Sequence, residues 1–363
     1  MDTILEVEDL HVAFQTYGGT VKAVRGVNLT IRQGETVAIV GESGCGKSVT
    51  AQSIMQLIPT PPGRITQGSI RFRGQELLSM GEEEMRRIRG AEIAMIFQDP
   101  MTSLNPTITI GEQLTEGLRK HRQVSRKKAR TLALEMLQLV GIPAPETRLK
   151  QYPHQFSGGM RQRIMIAMAL ICEPAIIIAD EPTTALDVTI QAQILELFQE
   201  LQAKIGVALL LITHDLGVVA GIADRTLVMY AGQVVEEGKT EELFYRAQHP
   251  YTRGLLHSVP RLDWTKKVLQ PIPGVPPDLF APPPGCAFVA RCPYAMEACV
   301  HLAPPRTRVR PTHYVACWLQ DPRGQQLFPH FAAGIREQQE ARSGHPLQRV
   351  AETKVKMTFG KHE

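Results

Sequence analysis

Gly41-Glu42-Ser43-Gly44-Cys45-Gly46-Lys47-Ser48 is the stretch that decides the fold. It matches the pattern G-x-x-x-x-G-K-[S/T], in which glycines let backbone N–H groups turn inward and cradle phosphate oxygens. The flanks supply the context that such a motif requires. Thr36-Val37-Ala38-Ile39-Val40 is a short β-branched run, as expected of a buried parallel strand. Residues 51–57 are compatible with a helix, whose N-terminus adds its positive dipole to the anion site. The motif predicts that Lys47 reaches the β- and γ-phosphates and that Ser48 holds Mg²⁺. A chance Gly-rich turn would lack a strand and a helix so placed. Cys45 has two readings. It is either a thiol made reactive by a helix N-terminus or a tolerated small residue at a variable position, and the second is preferred.

Further along, Ile176-Ile177-Ile178-Ala179 reads as a second apolar strand that ends in Asp180-Glu181. Ligands of open α/β sheets sit beyond the carboxyl ends of the strands. Asp180 is therefore expected to support Mg²⁺ through water, and Glu181 to polarise the attacking water. Alone, an acidic pair before Pro182 is a solvated turn; after a P-loop it is a strong signal. Residues 207–213 read as a third buried strand ending at His214-Asp215, where His214 could contact the γ-phosphate or the water. A lone strand-end histidine is more often structural, and only the surrounding motifs reverse that preference. Ser157-Gly158-Gly159 precedes a helical stretch, 160–171, with Ser157 as N-cap. Free N–H groups there form a second anion site, which one nucleotide on one chain need not use.

On these residues the chain resembles the ATP-binding subunits of ABC transporters, from the N-terminus to about Leu256. Ser157-Gly158-Gly159 looks like the family's signature motif, Gln98 like its Q-loop glutamine, Ala185-Leu186-Asp187 like its D-loop and His214 like its switch histidine. The resemblance implies that Gln98 also touches Mg²⁺. It implies too that two such domains meet head to tail, each ATP lying between the P-loop of one and the signature of the other. The motif here reads Phe156-Ser157-Gly158-Gly159-Met160 where the family usually has Leu-Ser-Gly-Gly-Gln, and Met160 supplies no amide hydrogen bonds. An aromatic upstream of the P-loop stacks on adenine in the family; Tyr17 and Phe14 both qualify, with Tyr17 preferred. The implied α/β fold is a P-loop ABC-type nucleotide-binding domain. It has a RecA-like core, an antiparallel β subdomain and an α-helical signature subdomain, with a loop-rich, cysteine-bearing C-terminal extension.

The 363 residues suffice for one large α/β domain and an appendage. With 21% charged residues and a formal net charge of +4, nothing argues for nucleic acid binding. The most basic run, Arg126-Lys127-Lys128-Ala129-Arg130, reads as the solvated face of a helix. Ser125 caps it, Ala129, Leu132, Ala133, Met136, Leu137 and Val140 form its apolar stripe, and Gly141 ends it. No apolar stretch reaches the ~18 residues of a membrane helix, and the N-terminus lacks a basic region of the kind that opens a signal peptide. The expectation is a soluble, cytoplasmic chain that meets a membrane through a partner.

Residues 1–75 read as β-rich, with 24–31 and 69–72 alternating as half-buried strands, and residues about 100–170 as the helical subdomain. Val228-Met229-Tyr230 and Val234-Val235-Glu236, joined at Ala231-Gly232, read as a closing hairpin. No internal repeat appears, so one ATPase unit is expected within 1–258. Prolines at 271, 273, 276, 277, 282, 283 and 284 exclude regular helix or central strand there. The segment 259–323 is expected to be extended loops held by something other than a packed core, and 324–363 a flexible tail.

Cys286, Cys292, Cys299 and Cys317 lie in that appendage, separated by 5, 6 and 17 residues. Clustered thiols in a cytosolic chain favour metal over disulfides, either Zn²⁺ or an iron–sulfur cluster. The absence of tight C-x2-4-C knuckles leans towards the cluster, and four unliganded thiols are the remaining reading. His249-Pro250-Tyr251-Thr252, Pro271-Ile272-Pro273-Gly274-Val275-Pro276-Pro277 and Cys292-Pro293-Tyr294-Ala295 look like the C-terminal extension of dipeptide/oligopeptide importer ATPases. Phe97-Gln98-Asp99-Pro100 and Arg161-Gln162-Arg163 fit the same subfamily. That resemblance, from about Ile4 to Leu319, implies an ATP-hydrolysing motor at the cytoplasmic face of the membrane. The implied partners are a second, different ATPase subunit, two transmembrane permeases and an extracytoplasmic peptide-binding protein. Some members of the family carry a [4Fe-4S] cluster on these cysteines. The segment 99–106 after Gln98 is the expected place to sense the γ-phosphate and move a permease. A nickel or antimicrobial-peptide importer is the nearer alternative. A soluble ABC ATPase of repair or translation is the farther one, and the coiled-coil insertion or second ATPase unit usual in such proteins is not seen.

Overall fold

A computed structural model describes residues 2–99, 103–183, 187–258 and 271–331. Pro100-Met101-Thr102 of the segment after Gln98, Ala185-Leu186 of the D-loop-like stretch and residues 332–363 of the expected tail lie outside the described residues.

Two sheets organise the chain. Strands β1 (Thr3–Thr16), β2 (Gly19–Arg32), β4 (Gly63–Phe72) and β5 (Gln75–Glu76) form an antiparallel sheet in the order β2-β1-β4-β5. Strands β3 (Thr36–Val40), β6 (Ile93–Ile96), β7 (Ile176–Asp180), β8 (Ala208–Thr213), β9 (Arg225–Tyr230), β10 (Gln233–Lys239), β11 (Arg306–Arg310) and β12 (His313–Ala316) form the second. Its order is β11-β12-β10-β9-β3-β8-β7-β6. The run from β9 to β6 is parallel, and β10, β12 and β11 join it antiparallel.

Strands β3, β7 and β8 are buried at every residue, which is why they read as continuous apolar runs and not as alternation. Their side chains still alternate between two cores. Ile176, Ile178, Leu210, Ile212 and Ile39 face the antiparallel sheet, beside Val7, Leu29 and Ile70. Ile177, Ala179, Leu209 and Leu211 face the helical subdomain, beside Leu114, Leu137, Ile164 and Ile166. That subdomain holds the helices Ile110–His121, Arg126–Leu139, Pro145–Arg148 and Gly158–Leu170. Thr109, Ser125 and Ser157 cap three of these helices through their side-chain oxygens. The expected hairpin is present as β9–β10, with Gln233 opposite Tyr230 and left-handed φ at both Ala231 and Gly232.

The appendage departs from the expectation of loops without a core. Strand β12 pairs with β10 and carries β11 with it, so residues 306–316 extend the ATPase sheet. Tyr251, Ala287 and Phe288 are buried against Ala38, Val40, Val228 and Tyr230 of the parallel strands. Arg225 bridges Glu35 at 3.0 Å and Glu237 at 2.7 Å, and Arg306 of β11 reaches Glu237 at 2.8 Å. Packing and ion pairs therefore hold the segment to the sheet. Within the stretch expected to be a tail, Gly324 sits in the helix Pro322–Leu327, and Phe331 is buried with Val315 and Leu319.

Candidate functional site

Register assembles the site. Val40 pairs with Thr213, and Ile212 pairs with Asp180. The chain therefore leaves β3, β7 and β8 at the same carboxyl-terminal end of the sheet, bringing Gly41, Glu181 and His214 together although they are far apart in sequence. In the loop after β3, Gly46 has φ 101°. A Cβ there would stand 2.5 Å from the Ala23 carbonyl oxygen, and a Cβ on Gly41 would stand 2.2 Å from that of Met229. The glycines are thus required by close backbone approach as well as by conformation. Lys47 opens the helix Lys47–Ile54, and its Nζ donates to the carbonyls of Gly41 at 3.0 Å and Glu42 at 3.1 Å. Ser48 Oγ donates to Asp180 Oδ1 at 2.9 Å, joining the P-loop to the end of β7. Burial raises the Asp180 carboxyl above the ordinary carboxylate range, and the Ser48 hydrogen bond opposes that shift. Ser43 and Gly44 complete the loop on its exposed side.

Glu181 takes a left-handed φ of 48° while its N–H donates to the Ile212 carbonyl at 2.9 Å. A non-glycine residue held there stores strain of about 1–3 kcal/mol, and Glu181 shares that conformation with Asp9, Gln56, Arg73, Gln123, Ala144, Glu173 and Ala231. Gln98 Nε2 donates to Glu181 Oε2 at 3.0 Å, and His214 Nδ1 lies 3.4 Å from Glu181 Oε1. Gln98 and His214 thus converge on Glu181. Asp187 caps the helix Val188–Ile205, and Asp215 caps Leu216–Ile222.

Ser157 and Gly158 are exposed at the start of Gly158–Leu170, in the helical subdomain. Among the described residues no hydrogen bond joins Ser157, Gly158 or Gly159 to residues 41–48. Met160 is partly buried against the subdomain core. Tyr17 lies fully exposed in the β1–β2 turn, whereas Phe14 packs against the core of the antiparallel sheet. Cys45 is buried, and desolvation raises its thiol above the usual range despite the neighbouring Lys47. The reactive-thiol reading of this residue is therefore the weaker one.

Cys286, Cys292, Cys299 and Cys317 line one small cavity with His249, Phe288 and Tyr294. Burial pushes the Cys292 thiol up to about 12, and moves Cys286 and Cys317 in the same direction. His249 Nδ1 accepts from the Tyr251 N–H at 3.0 Å, which leaves the proton on Nε2, and that buried nitrogen has no hydrogen-bond partner. Among the described residues, however, no group of three or more His, Cys, Asp or Glu side chains is arranged to hold a metal ion.

Three residues at this end of the sheet were given no role in the site by the sequence. Tyr251 Oη accepts from the Glu42 N–H at 3.0 Å, Arg291 forks onto the Glu42 carboxylate, and Tyr230 Oη takes the same guanidinium at 3.2 Å. Tyr251 and Arg291 did sit inside or beside the appendage motifs, but nothing local ties them to the P-loop.

Comparison with known proteins agrees with this geometry. Residues 24–184 match the family described as ABC transporter, and residues 235–299 match the oligopeptide/dipeptide transporter C-terminal region. The chain is 63% identical over 325 residues to the dipeptide transport ATP-binding protein DppD of Bacillus subtilis, covering 90% of this chain and 97% of that protein. It is 53% identical to the oligopeptide transport ATP-binding protein OppD of Salmonella typhimurium, covering 87% and 94% of the two. Among solved structures, the ATP-binding cassette MJ0796 in a dimeric post-hydrolysis state with ADP and Pi superposes with a TM-score of 0.59 at 30% identity. That match covers 65% of this chain and 99% of that one.

Proposed function

The chain belongs to the ATP-binding subunits of ABC transporters that import oligopeptides and dipeptides, and on that premise we propose how its residues divide the work. It binds and hydrolyses ATP, with Mg²⁺, as the motor of peptide transport. Residues Gly41 to Ser48 hold the phosphates, with Lys47 on the β- and γ-phosphates and Ser48, Asp180 and Gln98 around Mg²⁺. Glu181 positions the attacking water, and His214 orients Glu181 and the γ-phosphate end. Tyr17 stacks on adenine. Ser157, Gly158 and Gly159 serve the nucleotide of a second ATPase subunit, docked head to tail. The observation that supports this arrangement is the separation of the two anion sites. One is built at the carboxyl ends of the parallel strands; the other is exposed on the helical subdomain, which packs on one face of those strands.

ATP-driven closure of that pair would then move two permeases at the cytoplasmic face of the membrane, with an extracytoplasmic peptide-binding protein delivering substrate. Among the described residues no helix is long and apolar enough to cross a membrane, so attachment would run through the permeases. Residues 1–258 form the ATPase domain and 259–323 its extension. The test is reconstitution of the chain with its co-purifying permeases, second ATPase and binding protein. Peptide should stimulate ATP hydrolysis and appear inside the vesicle, and hydrolysis indifferent to every peptide tried would overturn the assignment of substrate.

For the four cysteines we propose a structural [4Fe-4S] cluster. Two features support it: the four thiols line one cavity, and His249, whose buried Nε2 has no hydrogen-bond partner, lines it too. Its role would be to hold the appendage together, apart from ATP hydrolysis. Protein purified without oxygen should carry about four irons per chain, and Cys299→Ser should remove them. Stoichiometric zinc, or metal-free protein with the appendage intact, would end the proposal.

A further inference from the structure

Glu42, the second residue of the P-loop, is held from three sides. Its N–H donates to Tyr251 Oη at 3.0 Å, and its carbonyl accepts from Lys47 Nζ at 3.1 Å. Its carboxylate takes both arms of Arg291, Nη1 to Oε2 at 2.7 Å and Nη2 to Oε1 at 3.0 Å. Arg291 is itself fixed. Its Nε donates to the Pro273 carbonyl at 2.9 Å and its Nη2 to that of Ile272 at 3.3 Å, both in the proline-rich segment. The guanidinium lies over the rings of Tyr230 and Phe288, 5.7 and 5.9 Å from their centroids, and its side chain is 5% exposed. A planar fork held in this way is oriented before it meets its carboxylate, and the bidentate charge-assisted pair is the strong form of the contact.

We infer that Arg291 is a positioning residue of the nucleotide site: by clamping Glu42 it holds the P-loop in its phosphate-cradling form, so that the C-terminal extension sets the affinity for ATP. A loop ordered in advance loses less freedom when the nucleotide arrives, and that difference appears as affinity. Arg291 directly precedes Cys292, so the clamp is one peptide bond from the sulfur-lined cavity. The inference rests on the nucleotide-site reading above.

The test is equilibrium binding of a fluorescent ATP analogue with Mg²⁺ to the full-length chain. Arg291→Met and Glu42→Gln should each weaken binding about tenfold, the scale of one charge-assisted contact partly open to water. Arg291→Lys should recover part of the loss. The Arg291→Met/Glu42→Gln double variant should bind no more weakly than the worse single one, because both remove the same contact. In the assembled transporter KM for ATP should rise while kcat falls less than twofold, a split that general misfolding would not give. If Arg291→Met does not fold, Glu42→Gln carries the test from the loop side, where the side chain is 26% exposed. Unchanged or tighter binding in the single variants, or additive losses in the double, would overturn the clamp. A Lys47→Ala control separates the two ideas. Binding that survives it refutes the nucleotide-site reading, whereas binding lost there but intact in Arg291→Met and Glu42→Gln refutes only the clamp.

Discussion

Glu181→Gln should separate holding the nucleotide from splitting it. The swap keeps side-chain volume and the left-handed backbone at φ 48° but removes the charge. The carboxylate now faces Gln98 Nε2 at 3.0 Å and His214 Nδ1 at 3.4 Å. An amide has one acceptor oxygen, so one of those two groups would face an NH₂. Losing a hydrogen bond to a charged group costs about 1.5–3 kcal/mol, which is roughly tenfold to a hundredfold in rate if it is felt only in the transition state. Losing a group that accepts a proton from the attacking water adds about 10²–10⁴-fold. The expected fall in kcat is therefore at least about 10²-fold. Binding should be spared, because Lys47 contacts Gly41 and Glu42, and Ser48 contacts Asp180. Phosphate release by the assembled transporter, paired with equilibrium ATP binding, reads both quantities. Turnover within tenfold of the parent, or a matching loss of ATP affinity, would remove Glu181 from the water-positioning role.

Lys47→Ala should abolish tight ATP binding by the chain, while Ser157→Arg should leave that binding within about threefold and depress ATPase only in the assembled pair; equal losses in the lone chain would refute a shared site. Burial holds the Cys45 thiol above its ordinary pKa, so the thiolate is scarce near neutral pH and grows as pH rises. Alkylation read by mass spectrometry at pH 7.5 should be at least about tenfold slower than for an exposed thiol, and full reactivity there would contradict the burial. Glu236 accepts from His313 Nε2 at 2.7 Å and from the N–H groups of Gln248 at 2.6 Å and His249 at 3.0 Å, all buried. Glu236→Ala strands these donors and should cost about 3–5 kcal/mol, lowering Tm on the order of 10 °C by calorimetry; a shift within 2–3 °C would show the network to be dispensable.

The parts of the site that were legible in the sequence are those written in contiguous residues. Gly41 to Ser48, the strand before them, the Ser157 cap and the β9–β10 turn each depend on neighbours a few positions away. The convergence of Gln98 and His214 on Glu181 was not legible, because it depends on which strands lie side by side and in what register. The strain at Glu181 carries no compositional mark either. Strand β11 reads Arg306-Thr307-Arg308-Val309-Arg310, too charged to announce itself, and becomes a strand only because β12 offers it a ladder. The prolines correctly excluded regular structure near residue 280, but the inference that the whole appendage lacked a core failed at Phe288. A single aromatic among prolines does not reveal that Tyr230 and Tyr251 wait for it at ring distances of 5.2 and 5.4 Å. The Arg291–Glu42 contact spans most of the chain and has no local signal at all.

The pairing of β12 on β10, with Val315 opposite Glu236 and Tyr314 opposite Glu237, has a consequence for the life of the nascent chain. Synthesis delivers β10 well before β12, and at about 5–20 residues per second the ATPase sheet stands open along that side for several seconds. An unpaired strand edge is a template for any other strand nearby. The chain is therefore most vulnerable to aggregation after its parallel strands are made and before the extension has paired with them. Overproduction at low temperature, or with a holdase that shields strand edges, should raise soluble yield. A chain cut after residue 258 would never leave that vulnerable stage.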